Sequence, residues 1–120
     1  MGKGADIQGR AFAFAVAIVR LVDVLFTRGV SAREMGKQLL RAGSSIGANL
    51  EEADAGQSRA DFISKCAIAL KEARETHFWL RLLHASEKIS EHDQAEQLIR
   101  ECHEIVAILT TIVRKARANA

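Results

Sequence analysis

Residues 38–83 read QLLRAGSSIGANLEEADAGQSRADFISKCAIALKEARETHFWLRLL, two long helical segments joined by one short polar turn, and the remainder of the chain brackets that hairpin. Met35, Leu39, Ala42, Ile46 and Leu50 recur at steps of three and four, which puts them on one helical face. Gly36, Gly43 and Gly47 flank that face, although a glycine inside a helix costs about 1 kcal/mol relative to alanine. Their placement predicts a groove into which a neighbouring helix backbone packs closely. Beyond a turn at about 54–57 that contains Gly56, Ser58 and Asp61 are spaced as a helix cap. The next stripe, Phe62, Cys66, Ala69, Ala73, Thr76, Leu80 and Leu83, is widened by Ile63 and Leu70.

Working outward, Ser31 and Glu34 have the spacing of a capping box at the start of the first arm, and Ser90 and Asp93 repeat that spacing before a fourth segment. In that segment Ala95, Leu98, Cys102, Ile105, Leu109, Ile112 and Ala116 form an unbroken stripe, the seam of an antiparallel bundle. A first helix carries Phe14, Ile18, Leu21 and Leu25 on its core face and stops near Gly29. With 120 residues, 48% hydrophobic content and no proline, the chain is long enough for one core and suited to uninterrupted helices. The expectation is an all-α, antiparallel up-and-down four-helix bundle with helices near 10–26, 32–53, 59–85 and 91–118. Residues 1–9, with three glycines and no apolar pattern, are expected to be a flexible N-terminus, and residues 10–120 a single domain.

Some side chains exceed what such a core can hide. Phe12, Val16 and Val19 form a second apolar stripe on the first helix, and Ile68, Phe78, Trp79 and Leu82 point away from the core face of the third. A helix apolar on two sides is buried on two sides, and in so small a chain the second burial implies another copy. These seven residues are the expected oligomer interface.

A polar line of Arg41, Ser45, Asn49 and Glu52 borders the other flank of the second helix. Folding the hairpin about Gly56 sets Arg41 against Glu72 and brings Lys37 or Gln38 to Glu75. The plain reading is a structural network that fixes helix register, preferred over a ligand site.

No catalytic constellation emerges. A carboxylate di-metal bundle needs Glu-x-x-His pairs, but the residues three before His77, His84, His92 and His103 are Arg74, Arg81, Ile89 and Arg100. No metal, no cofactor and no enzymatic activity are expected, and no serine or cysteine has a recognisable base placed with it. Cys66 and Cys102 each fall on an apolar stripe, as reduced thiols of a cytoplasmic protein would. The longest uncharged run, 11–19, is about half a bilayer span, so no membrane helix is expected. It also continues past Arg20 with helical periodicity, which argues against a signal segment despite Lys3 and Arg10. Net charge +2 and pI near 8.7 tolerate an acidic partner without demanding one. Arg33, Lys37 and Lys71 are the candidate nucleic-acid-binding residues, a modest patch that repetition around an oligomer would make multivalent.

QLLRAGSSIGANLEEA, SRADF and ALKEARETHFWLRLL together resemble a small bacterial four-helix-bundle family named for genes lying inside intervening sequences of large-subunit ribosomal RNA. Where relatives carry glycine after the glutamate matching Glu52, this chain has Ala53. The resemblance implies a bundle that assembles into a ring, a homopentamer. It also implies a likeness to the accessory proteins of diversity-generating retroelements, which engage a reverse transcriptase and nucleic acid through a basic surface. No catalytic residues come with it. The expected role is a non-enzymatic oligomeric scaffold that binds RNA, DNA or a nucleic-acid-processing enzyme; the alternative is a protein-only adaptor.

Overall fold

A computed structural model of the chain describes residues 3–56 and 58–119, with side chains from Ile7 onward. Four long helices follow one another, α1 (Lys3–Leu25), α2 (Val30–Asp54), α3 (Arg59–Ala85) and α4 (Ala95–Ala118), and a single 3-10 turn, Glu91–Asp93, precedes α4. No strand occurs among the described residues. Each helix packs on the next and α4 returns to meet α1 more lightly, which closes an elongated bundle of 46 × 21 × 20 Å.

The up-and-down course can be read from residue pairs. Ala11 lies against Gly47 and Leu25 against Gly36, so α1 and α2 run antiparallel. Arg41 reaches Glu72 across α2 and α3. The Cys102 thiol donates to the Ala73 carbonyl across α3 and α4, and Arg10 and Arg28 of the α1 segment pair with Glu101 and Asp93 respectively. Most of the expected stripes form the core: Phe14, Ile18, Leu21 and Leu25 of α1, Leu39, Ala42, Ile46 and Leu50 of α2, and Cys66, Ala69, Leu70, Ala73, Thr76, Leu80 and Leu83 of α3 are buried, while Met35 and Phe62 at the stripe ends are half-buried. On α4, Val113 rather than Ile112 is the buried residue near the C-terminus.

The helix starts separate what local sequence decides from what packing decides. Ser58 caps α3 as its spacing predicts, its Oγ accepting the Asp61 backbone N–H at 3.0 Å. Ser31 does not cap α2. Gly29, at φ 103°, occupies the cap position, in a conformation that only glycine adopts cheaply, and its carbonyl already accepts the Arg33 N–H. Ser31 therefore lies inside the first turn, and Glu34 pairs with Lys37 instead. Ser90 and Asp93 do form a reciprocal arrangement, with the Ser90 N–H donating to Asp93 Oδ2 at 2.9 Å. It closes the 3-10 turn, and α4 begins only at Ala95, after Gln94 at φ 60°.

The N-terminal segment also differs from expectation. The helix extends back to Lys3, because Ile7 is buried in the core and Gln8 Nε2 donates to the Leu50 carbonyl at 3.1 Å. Met1 and Gly2 lie outside the described residues, as does Gln57 of the expected turn.

Glycines in α2 are unequal. A Cβ built on Gly43 would meet Ile18 Cγ2 at 3.0 Å, whereas on Gly36 and Gly47 it would find ordinary contacts at 3.5 and 3.7 Å. Helix α1 thus needs glycine only at Gly43. Gly36→Ala should raise stability by about 0.5–1 kcal/mol through helix propensity. Gly43→Val should lower it by about 1–3 kcal/mol through overpacking against Ile18. Urea denaturation of the two variants measures both signs.

The 3-10 corner carries a pH dependence. Arg28 donates to both carboxylate oxygens of Asp93, at 2.8 and 3.0 Å, and to the Lys88 carbonyl at 2.7 Å. The Arg28 hydrogen bonds hold the Asp93 carboxyl down at about 2, against an ordinary 3.8. A depressed carboxylate stabilises the fold above its unfolded pKa, so this contribution is complete above about pH 4 and is lost as pH falls through about 2. Allowing for the solvent exposure of Arg28, it is worth about 1–2 kcal/mol. Asp93→Asn should remove that part of the acid dependence, measured as urea midpoints between pH 2 and pH 5.

Candidate functional site

The polar line of α2 resolves into two kinds of contact. Arg41 projects over the α2–α3 seam, where Nη1 donates to Glu72 Oε2 at 3.1 Å and Nη2 to Glu75. Glu75 also accepts the Trp79 indole N–H at 3.0 Å. Arg41, Glu72, Glu75 and Trp79 are therefore one network, with Arg41 rather than Lys37 or Gln38 serving Glu75. Glu72 and Glu75 are three residues apart on α3, so one guanidinium fork reaches both. Ser45 and Asn49 do not join it. Their side chains donate to carbonyls of their own helix, Ser45 to Arg41 and Asn49 to Ser45, and Glu52 is exposed. Short polar side chains within a helix find the backbone four residues back before they reach a neighbour.

Of the three candidate nucleic-acid-binding residues, Lys71 is exposed and Arg33 half-buried. Lys37 is exposed but engaged by Glu34 at 3.1 Å. Among the described residues Arg33 and Lys71 make no ion pair. The positive charge available at this surface is thus smaller than the sequence suggests.

The expected interface residues are largely in solvent. Phe12 is 66% exposed, Phe78 48% and Val19 46%, and Ile68 and Leu82 are also exposed. Val16 and Trp79 are half-buried, and Trp79 packs against the core while its indole nitrogen is satisfied by Glu75. Phe26, Val30 and Leu40 extend the apolar surface beyond the expected set. Phe26, just past the end of α1, follows Phe12 and Val19 at intervals of seven in the sequence.

On the α3–α4 seam, the His77 and His103 rings stand 5.7 Å apart and tilted. Desolvation, with Arg81 and His103 adding to it, pushes the His77 imidazole down toward its neutral form. Both cysteines are buried and unpaired. Burial drives the Cys66 thiol up and the Cys102 thiol to about 12, so neither offers a reactive thiolate near neutral pH. Nothing in this arrangement sets a nucleophile against a base. No described helix is long and apolar enough to cross a membrane.

An antiparallel four-helix bundle with these features matches a known family. The family described as 23S rRNA-intervening sequence protein matches residues 3–111, and the chain belongs to it. It is similar, at 43% identity and a TM-score of 0.84, to a crystal structure from Bacteroides thetaiotaomicron described as a protein with unknown function from the S23 ribosomal protein family. The match covers 94% of this chain and 99% of that one. No curated protein matches the chain.

Exposure decides the strength of the seam network. The Arg41 side chain is 49% exposed, against 12% for Glu72, so the pair is screened on one side only. The loss expected for a fully buried pair, about 3 kcal/mol or more, does not apply. A double-mutant cycle of Arg41→Met with Glu72→Gln should give a coupling of about 0.5–1 kcal/mol that shrinks as salt is raised.

Proposed function

We propose that the chain is a non-enzymatic, self-assembling scaffold of the cytoplasm, and that the assembled form binds RNA, DNA or a nucleic-acid-processing enzyme. The observation that carries the reading is the exposed apolar surface on α1 and α3, with Phe12 at 66% and Phe78 at 48%. Large apolar side chains left in water along a helix mark an association site.

The placement of the two stripes favours one symmetry. Helices α1 and α3 occupy opposite corners of the bundle, each packing on α2 and α4. Stripes so separated cannot merge into one self-complementary patch, so the α1 stripe of one copy meets the α3 stripe of the next. Such head-to-tail contacts close into rings when the rotation allows. Five copies per ring follow from the family resemblance.

Binding of nucleic acid rests on Arg33, Lys37 and Lys71, brought to high local density by repetition. The Lys37–Glu34 ion pair supports the second reading, a protein-only adaptor, because it reduces the charge offered to phosphate.

Light scattering at micromolar concentration should give a multiple of the 13.1 kDa chain mass. Phe12→Asp or Phe78→Asp should release monomers that keep their helical circular dichroism; a wild-type monomer mass defeats the scaffold reading. In a filter-binding titration, RNA or DNA should be retained at low salt and released at moderate salt, as counterion release requires. No retention at low salt leaves the adaptor.

A further inference from the structure

The connection between α3 and α4 brings together three metal-ligating side chains that lie far apart in any one-helix motif. His84 stands in the last turn of α3, Glu91 opens the 3-10 turn and Glu96 lies in the first turn of α4. One ligand atom from each lies within 4.8 Å of the other two. His84 is half-buried, and the two glutamates are exposed.

These three side chains satisfy nothing else. Among the described residues no arginine or lysine pairs with Glu91 or Glu96, and no side-chain hydrogen bond is made by His84, Glu91 or Glu96. Their neighbours in the corner behave differently. Asp93, two residues from Glu91, is bound by Arg28 and Ser90, so the fold supplies cations and donors here where it uses them. Two carboxylates converging beside an imidazole, without a counter-ion, is an arrangement that a cation stabilises.

We infer that His84, Glu91 and Glu96 form a binding site for a divalent transition metal, zinc in the first instance. The donor set decides the class. One imidazole nitrogen and two carboxylate oxygens suit zinc and its first-row neighbours, whereas calcium and magnesium favour oxygen ligands alone. Solvent fills the remaining positions on the exposed side. The ion ties the end of α3 to the start of α4 through the 3-10 turn, so it acts as a clamp on that corner. Small rotamer adjustments of two exposed glutamates close the donors onto the metal.

The test is a calorimetric titration of the tag-free full chain with zinc chloride in a non-coordinating buffer at neutral pH. Cobalt(II) follows as a spectroscopic probe. One zinc per chain should bind with micromolar affinity and raise the thermal midpoint. His84→Ala and Glu91→Gln should each weaken binding about tenfold or more, while His103→Ala, on the same seam but outside the cluster, should leave it unchanged. Circular dichroism of each variant in the absence of metal should match the wild type, as expected for surface side chains with no other partners. Absence of zinc binding up to millimolar concentration overturns the site. Binding that survives His84→Ala, or that is lost in His103→Ala instead, overturns it equally.

Discussion

Ile18 seated on Gly43 is the contact on which the rest of the bundle depends. A methyl group at Gly43 would stand 3.0 Å from Ile18 Cγ2, so the absence of a side chain there is what lets α1 lie so near α2. That closeness accompanies the burial of Phe14, Leu21 and Leu25 in the core and of Ile7 near the α1 N-terminus. It also fixes which side of α1 stays outside. Phe12 and Val19, carried on the helix face turned from the core, are left in water by the same rotation that buries Phe14 and Ile18.

How much of this was legible depends on how local each cause is. The α3 boundaries, the Ser58 cap and most of each core stripe follow from spacing along a single helix, and spacing is in the sequence, although Val113 takes the core place expected of Ile112. The start of α2 was misread because two local signals compete. Ser31 and Glu34 have the right separation, but Gly29 at φ 103° already turns the chain two residues earlier. The N-terminal turn of α1 was hidden by Gly4 and Gly9, whose poor helix propensity is overridden by burial of Ile7 and by the bond from Gln8 to Leu50. The break at Gln94 has no signature in helical spacing, and beside it Arg28, distant in sequence, holds Asp93 and the Lys88 carbonyl.

The seam between α2 and α3 shows the same division. Opposition about the turn was enough to pair Arg41 with Glu72, because hairpin register is set by the loop. It could not show that one guanidinium spans Glu72 and Glu75, nor that Ser45 and Asn49 bond back to their own helix. The outcome leaves Glu75 serving both Arg41 and the Trp79 indole. Trp79 is thereby held half-buried at the edge of the exposed α3 stripe, so a polar network on one seam orients an aromatic side chain of the proposed interface.

Helix α3 carries the consequence furthest. Its inner face combines the small residues Cys66, Ala69, Ala73 and Thr76 with Leu70, Leu80 and Leu83, and Thr76 is satisfied by the Glu72 carbonyl at 2.7 Å. Three further large apolar side chains, Ile68, Phe78 and Leu82, are outside. A helix that leaves such side chains outside gives up burial that a monomer would have used. Each such side chain, once covered, contributes about 1.5–3 kcal/mol, which is comparable to a tenth or more of a small domain's total stability. In the proposed ring the small residues of the inner face let α2 and α4 approach, and the outer apolar side chains meet the Phe12 stripe of the next copy. The charged rim then repeats at a fixed spacing around the assembly, so modest single-chain charge acts through its multiplicity.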